Sequence, residues 1–586
     1  MRLAAILVPV LLFALVEAGL RLAGYGYSTR FLRAIDGAHA FTINDDFVRQ
    51  FYSDNPQGKS FPFLLPAKKS SDTIRIFILG ESAALGTPNP SFGFARIVEV
   101  FLRAQFPGKK FEVLNAAMRG INSHIIVPIA RDCARHQPDL FIVYMGNNEA
   151  VGLHAPGPET TFLDRHQFLI RLMQAARSSK VGQLLVSFGR SSRPPAQDMD
   201  FFRAHRMLAD DPRRDSLYEN FRANLDDICE EIFRSGASSV VSTIPVNLKD
   251  FPPLGSLHRR GLTPIEETQW QGLYDQGIAA ESEARYPQAI DHYRAAARLD
   301  DHFADLHFRM ARCHFALGQF PSAREHYGLA SDWDALQVRA DRRINGIIRE
   351  VAARKKERGV LLLESEQAVA QNDLSDHQSP GSNLFLDHVH LRFAGDYLMA
   401  RTLYPAVASA LSGKLGAAAN TPLPSLEACA ERLAYNEWDD LQIDISFAQQ
   451  IAGPPFLDQL DHTQRLAQAE QSVKQRSASF TRQDLDRAVQ SYRAALARHP
   501  DDWHLHNSFG MLSYATRDFA TAAEQFGFMV KQFPDWLMGR ITLAGALAKA
   551  GKNQDAIVQL KEALRIDPNF HQAQQGLAAL TGRRGQ

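Results

Sequence analysis

A serine after one apolar run and a histidine three residues after an aspartate are the groups here that could transfer an acyl group. Ser82 ends the phrase Gly80-Glu81-Ser82, which follows the apolar run 74–79. Asp387-His388-Val389-His390 ends a loop that follows the run 360–363. A serine hydroxyl is a poor nucleophile until a base takes its proton. His390 can be that base, with Asp387 binding its other ring nitrogen and fixing the tautomer. His388 competes for the role, but it follows the aspartate directly and is less well placed to receive the carboxylate. An ester carbonyl under attack becomes an oxyanion, and donors must already point at it. The backbone N–H groups of Ser82 and Gly120 and the side-chain amide of Asn148 would supply three. Losing one such donor costs about 10²–10³ in rate.

These residues need a scaffold that gathers them. Short apolar runs at 74–79, 111–114, 140–145, 239–244 and 360–363 alternate with helical patterns such as 94–105 and 217–234. That alternation predicts a parallel sheet covered on both faces. Ligands of such sheets bind beyond the carboxyl ends of the strands. Each candidate follows a predicted strand: Ser82 the first, Gly120 the second, Asn148 the third and His390 the last.

The constellation resembles the SGNH (GDSL-type) hydrolase superfamily. Gly80-Glu81-Ser82 is similar to its first block, Gly120 to its second, Gly146-Asn147-Asn148-Glu149 to its third and Asp387-x-x-His390 to its fifth. Glu81 and Glu149 stand where the family usually has aspartate, and both keep the carboxylate. The resemblance implies a flavodoxin-like three-layer α/β sandwich with a five-stranded parallel sheet, in two parts, 70–265 and 340–412. It implies a serine esterase that needs no cofactor or metal, with O-acyl groups on a carbohydrate or envelope polymer as substrates. An O-acyltransferase would use the same triad, and an inactive repeat scaffold is a third reading. A Gly-x-Ser-x-Gly elbow is absent because Ala84 occupies its last position, which argues against an α/β-hydrolase.

Other polar residues near these blocks have ordinary explanations. His124 and His154 read as solvated or packing histidines rather than substrate contacts, and Arg119 as a surface ion-pair partner. Cys133, Cys229, Cys313 and Cys429 form no CxxC and read as buried thiols, not metal ligands. No phosphate loop or dinucleotide fingerprint appears.

A second signal is a period of 34 residues. Pro500, Pro534 and Pro568 keep that step, as do Ala488, Ala522 and Ala556, with Tyr492, Phe526 and Leu560 at the large apolar position. Ala289 and Ala323, and Tyr293 and Tyr327, repeat it inside the chain. Small alanine beside a large side chain lets paired helices approach closely, a pattern that resembles the tetratricopeptide repeat. Two repeats are expected at 268–336, interrupting the sheet domain. Three more are expected at 469–580, including a capping helix at 571–580. Such all-α arrays bind a protein partner and carry no chemistry of their own. Residues 413–468 read as a linker and connecting helices, and 186–215 as a long insertion or mobile flap. Because the inserted pair leaves the sheet near its strand ends, it is expected to wall the substrate cleft.

The chain opens on an apolar run at 3–16, preceded by Arg2 and followed by Glu17. Residues 1–22 read as a membrane anchor or a signal segment. Arginines lie on both sides, so charge alone does not orient it; an extracytoplasmic body is the expectation. Over 586 residues, 65 basic and 65 acidic side chains give zero net charge, which argues against a nucleic-acid binder. With 45% hydrophobic and 22% charged residues, the composition is that of a globular protein, not a disordered or multi-span one.

Overall fold

The structure is a computed structural model describing residues 2–35, 37, 39–52, 60–157, 161, 164, 166–188 and 199–582, with side chains described from residue 11 onward. Five parallel strands build its centre: β4 (Thr73–Gly80), β5 (Lys110–Asn115), β6 (Leu140–Tyr144), β7 (Ser238–Ser242) and β8 (Val360–Leu363). Their spatial order is β5-β4-β6-β7-β8, so the chain reverses direction across the sheet beside β4. Every residue of β4 and β6 is buried. That burial follows from helices on both faces. Phe94–Gln105 and Phe393–Ala410 pack together on one face; Ser123–Cys133, Arg213–Arg234 and Arg342–Arg354 pack on the other. One continuous apolar core runs through both layers.

A small antiparallel sheet precedes this body and has no counterpart in the sequence reading. It joins β1 (Leu32–Ile35), β2 (Ala40–Ile43) and β3 (Leu65–Pro66). These strands have only two to four residues each, too short for a periodic pattern to stand out.

The inserted repeats leave after β7 and return before β8. Pro264–Ser282 pairs with Tyr286–Ala297, and Ala304–Ala316 with Phe320–Asp332. Ala289, Tyr293, Ala323 and Tyr327 are all buried between them, as the 34-residue step requires. In the C-terminal array, Trp503–Ala515 pairs with Phe519–Gln532 and Leu537–Lys549 with Asn553–Ile566, and His571–Thr581 caps the end. A repeated side-chain clamp marks the period. His506 Nε2, Arg540 Nε and Gln574 Nε2 each bond the carbonyl six residues earlier, on Pro500, Pro534 and Pro568.

The first C-terminal unit departs from the expected hairpin. His462–Ser479 has no buried residue and packs on Glu437–Ile451. Arg482–Arg498 packs instead on Leu426–Leu433 and Glu437–Ile451, with Tyr492 buried against Ala434 and Trp438. The polar composition of residues 462–479 gives that helix no apolar stripe to offer Tyr492.

The array backs onto the body. Asp502 pairs with Arg96 at 2.6 Å and Arg432 at 3.3 Å, Asp535 pairs with Arg33 at 2.8 Å, and Phe61 lies 5.2 Å from the Trp503 ring. Within 186–215, residues 189–198 lie outside the described residues. Beyond them the segment is packed: Met207 N donates to Ala335 O at 2.8 Å, and buried Arg214 donates to Gln337 and to the Met207 and Asp334 carbonyls. Residues 2–22 are helical, and among the described residues no helix is long and apolar enough to cross a membrane.

Candidate active site

The nucleophile candidate stands where β4 ends. Gly80 makes that exit possible, because a Cβ there would sit 2.1 Å from the Tyr144 carbonyl oxygen of β6. Ser82 then opens the single-turn helix Ser82–Leu85, so its backbone N–H has no intrahelical acceptor. Asn115, at the end of β5, donates from Nδ2 to the Ala84 and Leu85 carbonyls and so braces this turn.

His390 Nε2 lies 2.8 Å from Ser82 Oγ, and His390 Nδ1 lies 2.6 Å from Asp387 Oδ2. With Asp387 accepting a hydrogen bond from Nδ1–H, Nε2 is the ring nitrogen that can accept from the serine hydroxyl. The i, i+3 spacing works through the backbone as well. Asp387 Oδ1 accepts the N–H groups of Val389 and His390, each at 2.9 Å, which closes a tight turn around the carboxylate. Burial alone would raise the Asp387 pKa, but His390 and His388 beside it hold it well below the ordinary carboxylate range. The acid therefore stays ionised.

His388 does not reach Ser82. Its ring stands 5.2 Å from Phe251, its Nδ1 lies 3.4 Å from Asp387 Oδ1 without hydrogen-bond geometry, and burial pushes its pKa down to about 4. Of the two histidines, only His390 meets Ser82.

The remaining candidates converge through the two glutamates. Glu81 accepts the backbone N–H groups of Gly146 at 3.3 Å, Asn147 at 2.9 Å and Asn148 at 3.3 Å. That ties the loop after β6 to the residue beside the nucleophile. Glu149 accepts both the N–H and the hydroxyl of Ser123, at 2.9 and 2.7 Å, anchoring the loop's far end. Burial and mutual repulsion push the Glu81 carboxyl up to about 8, and burial raises Glu149 to about 7. Asn148 Nδ2 donates to Ile121 O at 2.9 Å, which fixes the amide against the segment carrying Gly120. Gly120 itself has φ +63°, in the left-handed region that favours glycine.

His124 is buried, bonded to Asn224 at 3.1 Å, and kept neutral by burial; His154 pairs with Asp164 at 2.7 Å. Arg119 reaches Thr87 and the Pro88 carbonyl rather than a surface acid. All four cysteines are buried and unbridged. Among the described residues, no group of three or more His, Cys, Asp or Glu is arranged to hold a metal ion.

Two residues near the triad had no sequence signal. Asn247, in the loop after β7, donates from Nδ2 to the Asp387 carbonyl at 3.0 Å and from its N–H to His388 O at 2.9 Å. Gln450, on the connecting helix Glu437–Ile451, donates to Asp387 Oδ2 at 3.3 Å. Both act across long separations in sequence, where no motif spacing could mark them. The inserted repeats reach this region indirectly: Phe308 and Tyr327 share an apolar cluster with Leu248, the neighbour of Asn247. A cavity of about 440 Å³ between β5 and the C-terminal array, lined by Arg96, Arg432 and Trp503, does not include the triad.

Models of the tetratricopeptide repeat family match residues 280–341 and 478–535, so both arrays contain tetratricopeptide repeats, which serve protein interaction. No curated protein matches the chain. Among solved structures, the TPR2AB domain of yeast Sti1 in its pHSP90 complex is 13% identical, covering 54% of this chain and 98% of that one, with a TM-score of 0.15. Yeast Tom70 is 14% identical, covering 54% and 73%, with a TM-score of 0.17.

Proposed function

We propose that the chain is a serine esterase of the SGNH type, with repeats that dock a protein partner near its catalytic body. The observation that carries this reading is that one imidazole, His390, reaches Ser82 at 2.8 Å and Asp387 at 2.6 Å beyond the carboxyl ends of a parallel sheet. Ser82 Oγ attacks the ester carbonyl while its proton passes to His390 Nε2. The N–H groups of Ser82 and Gly120 and the Asn148 amide receive the oxyanion. The tetrahedral centre then collapses, His390 protonates the departing alcohol, and an acyl-enzyme remains. Water, activated by the same imidazole, attacks the acyl carbon; Ser82 leaves and takes its proton back. Ionised Asp387 stabilises the imidazolium in both halves.

Acylated carbohydrate of the cell envelope is the proposed substrate, and the leader is proposed to hold the body at an extracytoplasmic membrane face. The test is hydrolysis of short acyl esters by the full chain beside Ser82→Ala and His390→Ala. Loss of either group should lower kcat by on the order of 10⁴–10⁶. Equal background rates in all three proteins would sink the esterase reading and leave a repeat scaffold. Acyl transfer to an added sugar at the expense of hydrolysis would make the enzyme a transferase.

A further inference from the structure

Eighteen large apolar side chains are exposed among the described residues, and eleven of them lie on three helices packed in a row. Six are on the leader helix: Leu11, Leu12, Phe13, Leu15, Val16 and Leu22. The other five sit on Gln167–Ser178 and Lys180–Phe188, which form a helical hairpin. Phe168 is 74% exposed, Leu172 57%, Leu185 66%, Val186 60% and Phe188 78%. Single exposed apolar residues are ordinary, but a contiguous patch marks an interaction site. Phe168 and Leu172 are four residues apart, with exposed Ala175 and Ala176 on the next turn, so the exposed stripe has helical phase. Each hairpin helix has a single buried residue, Ile170 and Gln183.

The hairpin is tied to the root of the leader. Gln183 Oε1 accepts Tyr27 N–H at 2.9 Å and its Nε2 donates to Tyr27 O at 3.2 Å. Lys180 Nζ donates to the same carbonyl at 2.6 Å, and Val181 N–H donates to Glu17 at 2.9 Å. The apolar stripe is therefore held continuous with the leader's own exposed face.

Charge specifies what would cover it. Residues 167–188 contain Arg171, Arg177 and Lys180 and no acid. Beside the hairpin, Arg30, Arg131, Arg135 and Arg171 line a cavity of about 380 Å³ in which Asp132 is the one carboxylate. Asp132 accepts the Leu32 N–H at 2.8 Å and lies 3.8 Å from Arg135. Arg131 pairs with Glu231 at 2.8 Å and Arg171 with Asp227, while Arg30 and Arg177 stand exposed beside the stripe. An apolar stripe flanked by arginines and lysine matches acyl chains beneath anionic phosphate headgroups. The two helices have 12 and 9 residues, far short of the ~20 needed to span a bilayer, so they would lie in its plane.

We propose that the hairpin Gln167–Ser178/Lys180–Phe188 is a monotopic docking element that beds into the surface of an anionic phospholipid bilayer beside the leader helix. This adds to the leader's proposed membrane role and does not depend on esterase chemistry. Because the hairpin follows the loop bearing Asn148 and Glu149, docking would set the orientation of the catalytic cleft to the bilayer.

The test uses the full chain carrying a polarity-sensitive NBD label at Leu172→Cys or Phe188→Cys, with Val558→Cys on the C-terminal repeats as control. The four native cysteines are buried and give little background. The proteins are mixed with vesicles of phosphatidylcholine alone or of phosphatidylcholine with phosphatidylglycerol. Labels at 172 and 188 should brighten several-fold and shift to the blue, more strongly with phosphatidylglycerol, while the label at 558 stays water-like. Water-like emission at 172 and 188 on a chain that floats with the vesicles would overturn the proposal and assign the face to a protein partner. An equal response to both lipids would overturn the anionic preference. A chain that does not float with either vesicle would sink the hairpin and leader readings together.

Discussion

Gln450 Nε2 donates to Asp387 Oδ2 at 3.3 Å, the same oxygen that accepts the hydrogen bond from His390 Nδ1. The donor stands on Glu437–Ile451, outside the sheet body, and that helix is itself fastened at two other points. Asp444 pairs with Arg392 at 2.9 Å, two residues past His390, and Asp439 accepts the Tyr492 hydroxyl at 2.7 Å. One helix thus touches the triad acid, the segment after the base and the C-terminal repeats.

Removing the Gln450 donor should loosen the rotation of the Asp387 carboxylate without touching substrate. A hydrogen bond to a charged group contributes about 1.5–3 kcal/mol, and this one is long. Gln450→Leu is expected to lower kcat about tenfold with KM unchanged. Gln450→Glu should fall further, because it sets a second negative charge beside Asp387. Wild-type kcat in both variants would show that Gln450 has no positioning role.

His390 and His388 should separate cleanly under mutation. The His388 Nδ1 lies 3.4 Å from Asp387 Oδ1 but forms no hydrogen bond with it, so the ring adds little to holding the acid. His388→Leu is expected to keep activity within a few-fold and to melt no lower than the parent. Asp387→Asn, which leaves His390 without its acceptor, should lose about 10⁴ in kcat. If His388→Leu lost activity as Asp387→Asn does, the assignment of the base would be wrong.

The strands are legible because a doubly covered parallel sheet writes continuous apolar runs, and the candidate residues because they were sought just after them. Phe94–Gln105 and β8 match their sequence bounds residue for residue. The repeats were legible through a fixed period of packing positions. What escaped were contacts without local signature. Glu81 and Glu149 were read only as variant carboxylates, yet they tie the Asn148 loop at both ends. Gln450 and Asn247 meet Asp387 from 63 and 140 residues away. The boundary expected at 469 falls inside helix 462–479, whose lack of buried residues sets it apart from the repeats.

The paired glutamates should leave a mark on stability. In the unfolded chain both titrate near 4.5; in the folded one Glu81 is raised to about 8 and Glu149 to about 7. Between those limits the folded state holds more protons, so stability falls as pH rises across the window and levels off above it. Asp387 acts oppositely and elsewhere: its contribution is present above 3.8 and is lost only as pH falls further. Glu149→Gln removes one of the two charges. Its melting temperature should therefore decline less than that of the parent from about pH 5 to about pH 8. Parallel melting curves across that range would contradict the pairing.

The Tyr492–Asp439 bond should decide how firmly the C-terminal array holds the bridging helix. Both groups are buried, and burial raises the Asp439 carboxyl to about 8. Tyr492→Phe keeps the ring that fills the repeat core and removes only the hydroxyl, leaving Asp439 without that donor. An unmet buried acceptor costs about 1–3 kcal/mol, which chemical denaturation can resolve. Because the same helix carries Gln450, a loosened junction should also lower kcat in the direction of Gln450→Leu, and the double variant should lose less than the two single losses combined. Additive losses would mean that the junction and the triad acid are mechanically independent, and that the repeats touch the chemistry only by docking a partner.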